Sequence, residues 1–423
     1  MARTLYICYF GVNQPLVQTQ VIPYLLEIMK SGTLQVSLLT FEPDLRKKWT
    51  SEQIEAEKTK LAQLGIEWHC LPYHKRFSSI ATAYDIFCGA WFIRRQIHEK
   101  NFDVLHGRVH VPTLMGALAR KFSKQKPKLL FDIRGFFPEE YTDAGVWPEN
   151  GWLYRSAKRV ERWLLVESDG FVVLTEKARE ILFPESKATG FDKRLRPVEV
   201  IPCCVDLGKF STANNEARRE VKDQLNIGNR KVIAYVGSFG GWYLTDKIFD
   251  FFTTARKNDS NTFILILTQR DKEIVSHALL SRGFSEADFY VGSVAPDEIP
   301  RYLSAADVAV SFIKACYSKL SSSPTKIAEY LACGVPVISN RGVGDLDELI
   351  EKNKVGVLLD EFSDDAYLAA IKEAETLGNI QDRCRQTARK EFDLEAVGGV
   401  KYRRLYSYLT ETSSERLARL SDR

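Results

Sequence analysis

The fold is decided by the stretch SSSPTKIAEYLACGVPVISNRGVGD, residues 321–345. Ser323 and Pro324 are residue types favoured at a helix N-cap and at the first helical position, so they predict a helix start. Apolar residues then recur at spacings of three and four, which is typical of a helix packed on a sheet. Gly334 suits the left-handed position after a helix. The stretch therefore predicts a loop, a short helix, a Gly-Val-Pro break and a buried strand.

Both halves of the chain alternate β-branched runs with helical patterns, which predicts an α/β fold with parallel sheets. In the first half, strands are predicted at 4–11, 34–41, 66–72, 102–108, 128–135 and 169–176, with helices at 17–30, 51–64, 80–99, 112–123 and 152–167. In the second half, strands are predicted at 231–238, 262–269, 289–294, 307–313, 335–340 and 355–360. The repeated pattern predicts two doubly wound domains of similar size.

The predicted domain boundary lies in VEVIPCCVDLGKF, where an apolar strand end is followed by a proline and a polar stretch. This divides the chain into an N-terminal domain at 1–198, a C-terminal domain at 199–393 and a C-terminal helix at 394–423. The helix contains KYRRLYSYL, whose apolar stripe needs a surface to cover. It is therefore predicted to pack back on the N-terminal domain.

Composition excludes several classes of protein. The chain has 423 residues, is 45% hydrophobic and carries a net charge of +4, which fits a globular protein and lacks the strongly basic profile of nucleic-acid binding. Anionic small molecules or lipid headgroups suit this mildly basic charge better than nucleic acids do. Neither a signal peptide nor a membrane span is apparent, so a cytoplasmic location is expected. The eight cysteines show no C-x-x-C pair and are expected to be reduced.

The helix start at Pro324 is predicted to lie at the carboxyl edge of a parallel sheet, where α/β folds bind ligands. Free N–H groups and the positive dipole end at such a start suit a phosphate. Lys319 and Lys326 flank it, and Glu329 is placed to accept hydrogen bonds from a sugar hydroxyl. The alternative interpretation is ordinary helix capping with a solvated glutamate.

S-P-T-K-I-A-E-Y-L-A-C-G-V-P-V-I resembles the donor-site motif of the retaining glycosyltransferases of family four, which have the GT-B fold. In that family, a glutamate before a short apolar helix and a Gly-x-Pro break holds the ribose of the nucleotide sugar, and Glu329 occupies its place. YVGSFGGWY at 235–243, the run at 291–313 and the segment at 198–210 also resemble family segments. The resemblance implies two Rossmann-like domains facing each other across a cleft.

The chain departs from the family pattern at two places. Many members carry an acidic residue where Ser321 stands, and many carry an arginine and a lysine where this chain has SFGGWY. The donor diphosphate would then be neutralised by Lys319, Lys326, Arg270 or Lys247, together with backbone N–H groups. This form resembles a sub-branch of surface-polysaccharide transferases. The residues assigned to the donor site are Gly237, Ser238, Phe239, Gly240, Arg270, Val294, Lys319, Ser322, Ser323, Pro324, Thr325 and Glu329.

The acceptor side is expected in the first domain. FGVNQPLVQTQ, residues 10–20, resembles the family's first loop, and Asp132 appears at the place of a histidine that contacts the transferred sugar. Asp132, Arg134 and Lys326 are therefore assigned catalytic roles. The alternatives are a structural Asp–Arg ion pair and structural histidines. The residues assigned to the acceptor side are Gly11, Gln18, His106, Arg108 and Glu139.

The resemblance implies transfer of a sugar, with retention, from a nucleotide diphosphosugar to a glycan or lipid-linked acceptor in cell-surface polysaccharide synthesis. A UDP-sugar is favoured over a GDP-sugar, and neither a further cofactor nor a metal is expected. Asp345 and Asp347 are interpreted as part of a helix start, with Glu348 completing a capping box. A non-catalytic nucleotide-sugar-binding homologue and a nucleotide-sugar 2-epimerase remain as alternatives. A dehydrogenase is disfavoured because neither domain opens with G-x-G-x-x-G.

Two basic, aromatic helical patterns, WLYRSAKRVERWLL at 152–165 and AWFIRRQIHEK at 90–100, suggest contact with an anionic membrane. Such contact would place the protein at the inner face of the plasma membrane. The alternative is a core-facing helix with a solvated basic face.

Overall fold

The computed structural model describes residues 1–74, 78–270, 272–378 and 380–411. The chain forms two compact units: the first contains Met1–Pro202 and the described residues from Gly398 onward, and the second contains Cys203–Val397. The boundary lies between Pro202 and Cys203, slightly later than the predicted residue 198, because Val198–Val200 pairs as a strand with the first sheet. The chain returns to the first unit at Gly398, slightly later than the predicted residue 394, because Leu394 still bonds to Val205 of the second unit.

Thirteen strands are present in the described residues, and every one predicted from the sequence is among them. In the first unit they are β1 (Ala2–Ile7), β2 (Leu34–Pro43), β3 (Ile66–Tyr73), β4 (Val104–Arg108), β5 (Lys128–Ile133), β6 (Gly170–Val173) and β7 (Val198–Val200). In the second they are β8 (Lys231–Val236), β9 (Thr262–Leu267), β10 (Phe289–Gly292), β11 (Val308–Ser311), β12 (Val337–Asn340) and β13 (Gly356–Leu359).

The α-helices of the described residues fill the connections between these strands. They are α1 (Pro15–Gln20), α2 (Ile22–Met29), α3 (Leu45–Lys48), α4 (Ser51–Gln63), α5 (Ser78–Lys100), α6 (His110–Lys121), α7 (Phe137–Asp143), α8 (Trp152–Glu167), α9 (Glu176–Leu182), α10 (Ser186–Thr189), α11 (Asn215–Gln224), α12 (Thr245–Asn258), α13 (Lys272–Leu280), α14 (Ile299–Leu303), α15 (Thr325–Ala332), α16 (Leu346–Asn353), α17 (Asp364–Thr376), α18 (Ile380–Phe392) and α19 (Val400–Thr410). The helix predicted at 17–30 is two helices, the second of which carries a proline in its first turn.

Each unit is built on one parallel sheet, which confirms the predicted α/β class. The strand order is β3-β2-β1-β4-β5-β6-β7 in the first unit and β10-β9-β8-β11-β12-β13 in the second. The order reverses between β1 and β4 and between β8 and β11, and ligands of doubly wound sheets bind at such switch points. The loops after β8 and β11 therefore meet at the carboxyl edge of the second sheet.

Both faces of the second sheet are covered, so its strands are apolar along their whole length. Val232, Ala234 and Val236 of β8 pack on one face, while Ile233 and Tyr235 pack on the other. This is the pattern expected of a parallel strand buried between two helical layers. The sheet is therefore a rigid base for the loops at its edge.

A buried polar cluster joins the first sheet to α19. The carboxylate of Asp132 lies 2.8 Å from Nε of Arg134 and accepts a hydrogen bond from the hydroxyl of Tyr402 at 3.1 Å. Its other neighbour is Nε2 of His106 at 3.4 Å, and Nδ1 of His106 lies 2.9 Å from the hydroxyl of Tyr406. The cluster thus fixes α19 on the first unit through two tyrosines.

Burial gives Asp132, His106 and Arg108 structural contacts within the first unit, and their expected catalytic and acceptor roles stay predictions. All three side chains are buried, and Asp132 and His106 have no exposed surface. Burial alone would raise the pKa of Asp132, but Arg134, His106 and Arg108 hold it well below its usual value. An ionised carboxylate that is enclosed by the chain's own cations helps to hold the unit together.

We expect Asp132→Asn to lower the free energy of unfolding of the first unit by about 3–5 kcal/mol, because the buried arginines would lose their counter-charge. Urea unfolding followed by circular dichroism measures the change. The exposed carboxylate of α4 supplies the control, Glu52→Gln, which should change stability by less than about 0.5 kcal/mol. A variant at position 132 that unfolds like the wild type but turns over no substrate would restore the catalytic assignment.

Candidate functional site

The loops after β8 and β11 form one surface because their backbones bond to each other. The amide of Leu244 donates to the carbonyl of Phe312 at 3.0 Å, and the amide of Lys314 donates to the carbonyl of Trp242 at 2.9 Å. These bonds hold the SFGGWY segment against the strand that leads to α15. Residues far apart in sequence are thereby brought together at the switch point of the second sheet.

Lys326 is the central charged group of this surface. Its side chain is buried, with 6% of the residue exposed, and Nζ finds no hydrogen-bond acceptor among the described residues. The ammonium lies 3.8 Å from the ring centroid of Tyr243 and 4.2 Å from that of Tyr235. Aromatic faces attract a cation but do not neutralise it. Among the described residues, the site therefore holds a buried amine whose hydrogen bonds are unfilled.

Gly237 lies directly against this ammonium. A Cβ added there would be 3.0 Å from Nζ of Lys326, and the residue has a φ of +126°, which other residues rarely adopt. Both the space and the backbone conformation require glycine. The position of this glycine in the loop is therefore explained by the lysine of a different segment.

Burial shifts the pKa values of two neighbouring groups of α15 in opposite directions. It lowers the pKa of Lys326 to about 7, against the attraction of Glu329. It raises the pKa of Glu329 to about 7, against the attraction of Lys326. A bound anion next to the lysine would favour its charged form and raise its pKa again.

Lys319 supplies a second cation to the same surface. It is also buried, and its ammonium lies 4.0 Å from the ring centroid of Trp242. Its carbonyl accepts a hydrogen bond from the amide of Gly344 at 2.8 Å, which fixes the 3₁₀ turn Tyr317–Ser321 to the next loop. Two aromatic residues of SFGGWY thus contact the ammonium groups of the two lysines. This contact was not predicted from the sequence, although Trp242 and Tyr243 directly follow a pair of glycines.

The helix start differs from the predicted one by one residue. Pro324 takes the N-cap position and α15 begins at Thr325, so the first N–H groups of the helix lack intrahelical partners. Ser323 is not the cap, because its hydroxyl accepts a hydrogen bond from the amide of Cys203 at 3.1 Å. Ser322 is half-buried beside it. Gly334 takes the predicted left-handed conformation, with φ +80°.

The remaining donor-side residues surround the loop after β8. The amide of Gly240 donates to the hydroxyl of Thr245 at 2.8 Å, so it is already engaged and is a poorer phosphate donor than expected. Arg270 is exposed and donates to the carbonyl of Phe239 at 3.3 Å. Ser238 accepts a hydrogen bond through its carbonyl from the hydroxyl of Tyr235.

Val294 and Lys247 lie further out on the second unit. Val294 is half-buried in the loop after β10, the edge strand of the sheet. Lys247 is half-buried on α12, with its ammonium 3.8 Å from the carboxylate of Asp250. Lys247 therefore already has an ion-pair partner, whereas Nζ of Lys326 has no hydrogen-bond acceptor among the described residues.

The Asp-Leu-Asp sequence at the start of α16 makes a local turn. Asp345 occupies the N-cap without a side-chain cap bond, so the predicted capping box with Glu348 is absent. Asp347 instead accepts a hydrogen bond from the amide of Gly342 at 3.1 Å. Within the part of the chain that the structure describes, no group of three or more His, Cys, Asp or Glu side chains is arranged to hold a metal ion.

The first loop of the first unit depends on a buried carboxylate that sequence analysis did not single out. Glu42 accepts hydrogen bonds from the amide of Val12 at 2.8 Å and from the hydroxyl of Thr40 at 2.5 Å. A Cβ at Gly11 would lie 2.8 Å from its Oε2, so Gly11 is required by close approach. Gln18 donates to the carbonyl of Val12 at 2.8 Å.

Glu139 belongs to a separate buried group. Its Oε1 lies 3.0 Å from the ammonium of Lys158 and accepts a hydrogen bond from the hydroxyl of Tyr154 at 3.1 Å. Lys158 also pairs with Glu161, which in turn contacts Nε2 of His110 at 3.0 Å. The expected acceptor residues thus fall into three groups: the first loop, the Asp132 cluster and the Glu139 group.

Comparison with protein families finds glycosyltransferase sequences in both units. Residues 51–209 match Glycosyltransferase Family 4, and residues 217–391 match Glycosyl transferases group 1. The chain is 26% identical over 199 residues to a 2-deoxystreptamine glucosyltransferase of Streptomyces kanamyceticus. That alignment covers 46% of this chain and 48% of the relative, so the matched part spans about half of either protein.

Solved glycosyltransferases share the fold over nearly the whole chain. A glycosyltransferase from Rickettsia africae superposes with a TM-score of 0.69 at 15% identity, covering 97% of this chain and 99% of that one. HepE of Anabaena, solved in complex with UDP, superposes with a TM-score of 0.66 at 15% identity, covering 96% and 100%. Both units thus match glycosyltransferase family models, and the described chain has the two-sheet GT-B fold of solved glycosyltransferases.

Proposed function

We propose that the protein transfers a sugar, with retention of anomeric configuration and without a metal ion, from a UDP-sugar to a glycan or lipid-linked acceptor in cell-surface polysaccharide synthesis. The observation that carries the proposal is the buried ammonium of Lys326, which lacks an acceptor among the described residues and lies beside Gly237 at the start of α15. A diphosphate is the anion that a buried lysine and a helix N-terminus would bind together. The UDP complex of the structurally similar HepE supports a uridine nucleotide.

In this proposal the chain acts on the leaving group. Lys326 and Lys319 stabilise the negative charge that develops on the diphosphate as the glycosidic bond breaks. Glu329 accepts hydrogen bonds from the ribose hydroxyls. The released phosphate oxygen takes the proton of the acceptor hydroxyl on the same face, which accounts for retention without a protein nucleophile. The two lysines replace the charge that a metal ion would otherwise supply.

The reaction is tested by incubating the protein with UDP-, GDP- and ADP-sugars and measuring release of nucleoside diphosphate. We expect UDP release that depends on a glycan or lipid-linked acceptor and is unchanged by EDTA. The anomeric configuration of the product, measured from the H1–H2 coupling in NMR, should be the same as that of the donor. Inversion at the anomeric carbon, or loss of activity in EDTA, would contradict the mechanism, and isomerised donor without UDP release would indicate an epimerase.

Lys326→Met should weaken UDP binding by about 30–100-fold, since a hydrogen bond to a charged partner contributes about 2–3 kcal/mol. The thermal midpoint should stay the same or rise, because the substitution removes a desolvated amine. Calorimetric titration with UDP measures affinity. The control is Lys257→Met, which removes an exposed lysine of α12 in the same unit.

The same titration has a pH signature. Wild-type affinity for UDP should fall as the pH rises above about 7, where the free lysine loses its proton. The Lys326→Met variant should lack this decrease. Undiminished UDP binding by the variant would rule out the diphosphate site described above.

Glu329→Gln should weaken UDP binding about tenfold through loss of a charged acceptor for the ribose hydroxyls. Wild type should bind 2′-deoxy-UDP less tightly than UDP, whereas the variant should distinguish the two nucleotides less, as expected for groups that interact directly. Glu348→Gln on α16 is the matched control, because that carboxylate is exposed. If the variant keeps full discrimination, the ribose lies elsewhere.

A further inference from the structure

The solvent-facing side of α5 is apolar over three turns. Ile80, Tyr84, Phe87 and Trp91 follow one another at helical spacing and are 73%, 54%, 70% and 61% exposed. We call these four residues the α5 stripe. Neighbouring large apolar side chains that remain in water on one helix face are typical of an interaction surface.

The α5 stripe is not needed to hold the helix in place. The opposite face of α5 is buried, with Ala81, Ile93 and Ile97 in the core of the first unit. Asp85 on the same face accepts hydrogen bonds from the hydroxyl of Tyr9 at 2.6 Å and from the amide of His74 at 3.0 Å. The helix is therefore anchored by one face while the other remains available.

Cationic side chains border the α5 stripe at both ends. Beyond Trp91 the same face continues with exposed Arg94 and Arg95. Arg94 donates to the carbonyl of Phe122, whose ring is also exposed. At the other end, Arg46 of α3 is close enough to Tyr84 to act on its hydroxyl electrostatically.

The net charge around the α5 stripe is positive even when the nearby carboxylates are included. Lys47 and Lys48 follow Arg46 on α3, and the nearby acids are Asp44, paired with Lys48, and Glu99, paired with Arg95. With Asp85, which also acts electrostatically on Tyr84, these five cations are accompanied by three carboxylates. Aromatic rings and an aliphatic side chain between cations suit a membrane surface, which is apolar in its interior and negatively charged at its headgroups.

The other amphipathic helix, α8, does not offer such a surface. Its Glu161 and Leu164 are buried, so this side faces the protein, while Arg155, Arg159 and Arg162 are exposed. The core-facing alternative therefore describes α8. Within the described residues, no helix is long and apolar enough to cross a membrane.

We propose that the α5 stripe and its flanking arginines dock the protein on an anionic lipid bilayer, with α5 lying in the plane of the surface. Tyr84, Phe87 and Trp91 would enter the boundary between headgroups and acyl chains, and Arg94 and Arg46 would contact lipid phosphates. A second copy is a poorer occupant, because both ends of the stripe are positive and two copies would bring like charges together in either orientation. The inference goes beyond the donor site and does not depend on it.

The test is flotation of the full chain, without nucleotide, on vesicles of phosphatidylcholine containing 30% phosphatidylglycerol, at low salt. We expect binding to these vesicles, much weaker binding to pure phosphatidylcholine, and release by high salt. The double variant Phe87→Ser/Trp91→Ser should bind at least about tenfold less, because each buried ring contributes more than a factor of ten. Arg94→Gln/Arg95→Gln should lose most of the dependence on anionic lipid.

Two controls separate this surface from general stickiness. Ile274→Ser removes a side chain that is 54% exposed on α13 of the other unit and should float like the wild type. Trp152→Ser removes the exposed ring at the start of α8 and should also float normally. UDP affinity of the stripe variant should be unchanged, so failure of the donor site and failure of the membrane site are distinguishable.

Three results would overturn the proposal. They are absence of flotation of the wild type with anionic vesicles, equal losses in the Ile274→Ser control, and flotation of the stripe variant at the wild-type level. Light scattering after gel filtration addresses the second copy. A dimer that dissociates in the stripe variant, without vesicle binding by the wild type, would assign this face to self-association instead.

Discussion

Enclosing a lysine ammonium without a hydrogen-bond acceptor is unfavourable, and Lys326 is such a group among the described residues of the second unit. Lys326 is removed from water by Tyr235, Tyr243 and the backbone at Gly237. The aromatic faces compensate for part of the lost hydration, but a buried charge needs a counter-ion to become favourable. The glycine at 237, the aromatic loop and the start of α15 all follow from this one requirement. The same burial prepares the site for an anion that brings its own charge.

The first unit shows the opposite outcome for buried charge. Asp132 is enclosed as completely as Lys326, but Arg134, His106 and Tyr402 surround its carboxylate. A buried ion that is fully paired within the chain contributes to a specific structure, whereas one that is left unpaired is a place for a ligand. Asp132 and Lys326 both lie near the end or start of a predicted element, and pairing within the chain is what distinguishes them.

Local signals in the sequence were sufficient for the elements of the fold. Alternating β-branched runs predicted the strands, and Gly334 and the Gly-Val-Pro break predicted the end of α15. Details of capping were less accurate: Ser323 bonds to Cys203 and Asp347 to Gly342, because long-range partners were available to side chains that would otherwise cap their own helices. The sequence shows that the usual arginine and lysine are missing near Gly240. It does not show that Trp242 and Tyr243 contact lysines there, because those lysines are more than 70 residues away in the chain.

The sequence by itself determined the α/β class, the two repeated sheets and the motif around Glu329, because periodicity, turn residues and local spacing depend on neighbours along the chain. Only the tertiary structure decided which of the charged residues are buried and whether each has a partner. It placed Asp132 and His106 in the core, left Lys326 without an acceptor among the described residues, and exposed the α5 stripe while covering α8. Burial and pairing are set by segments that meet only when the sheets form, and a linear pattern does not contain that information.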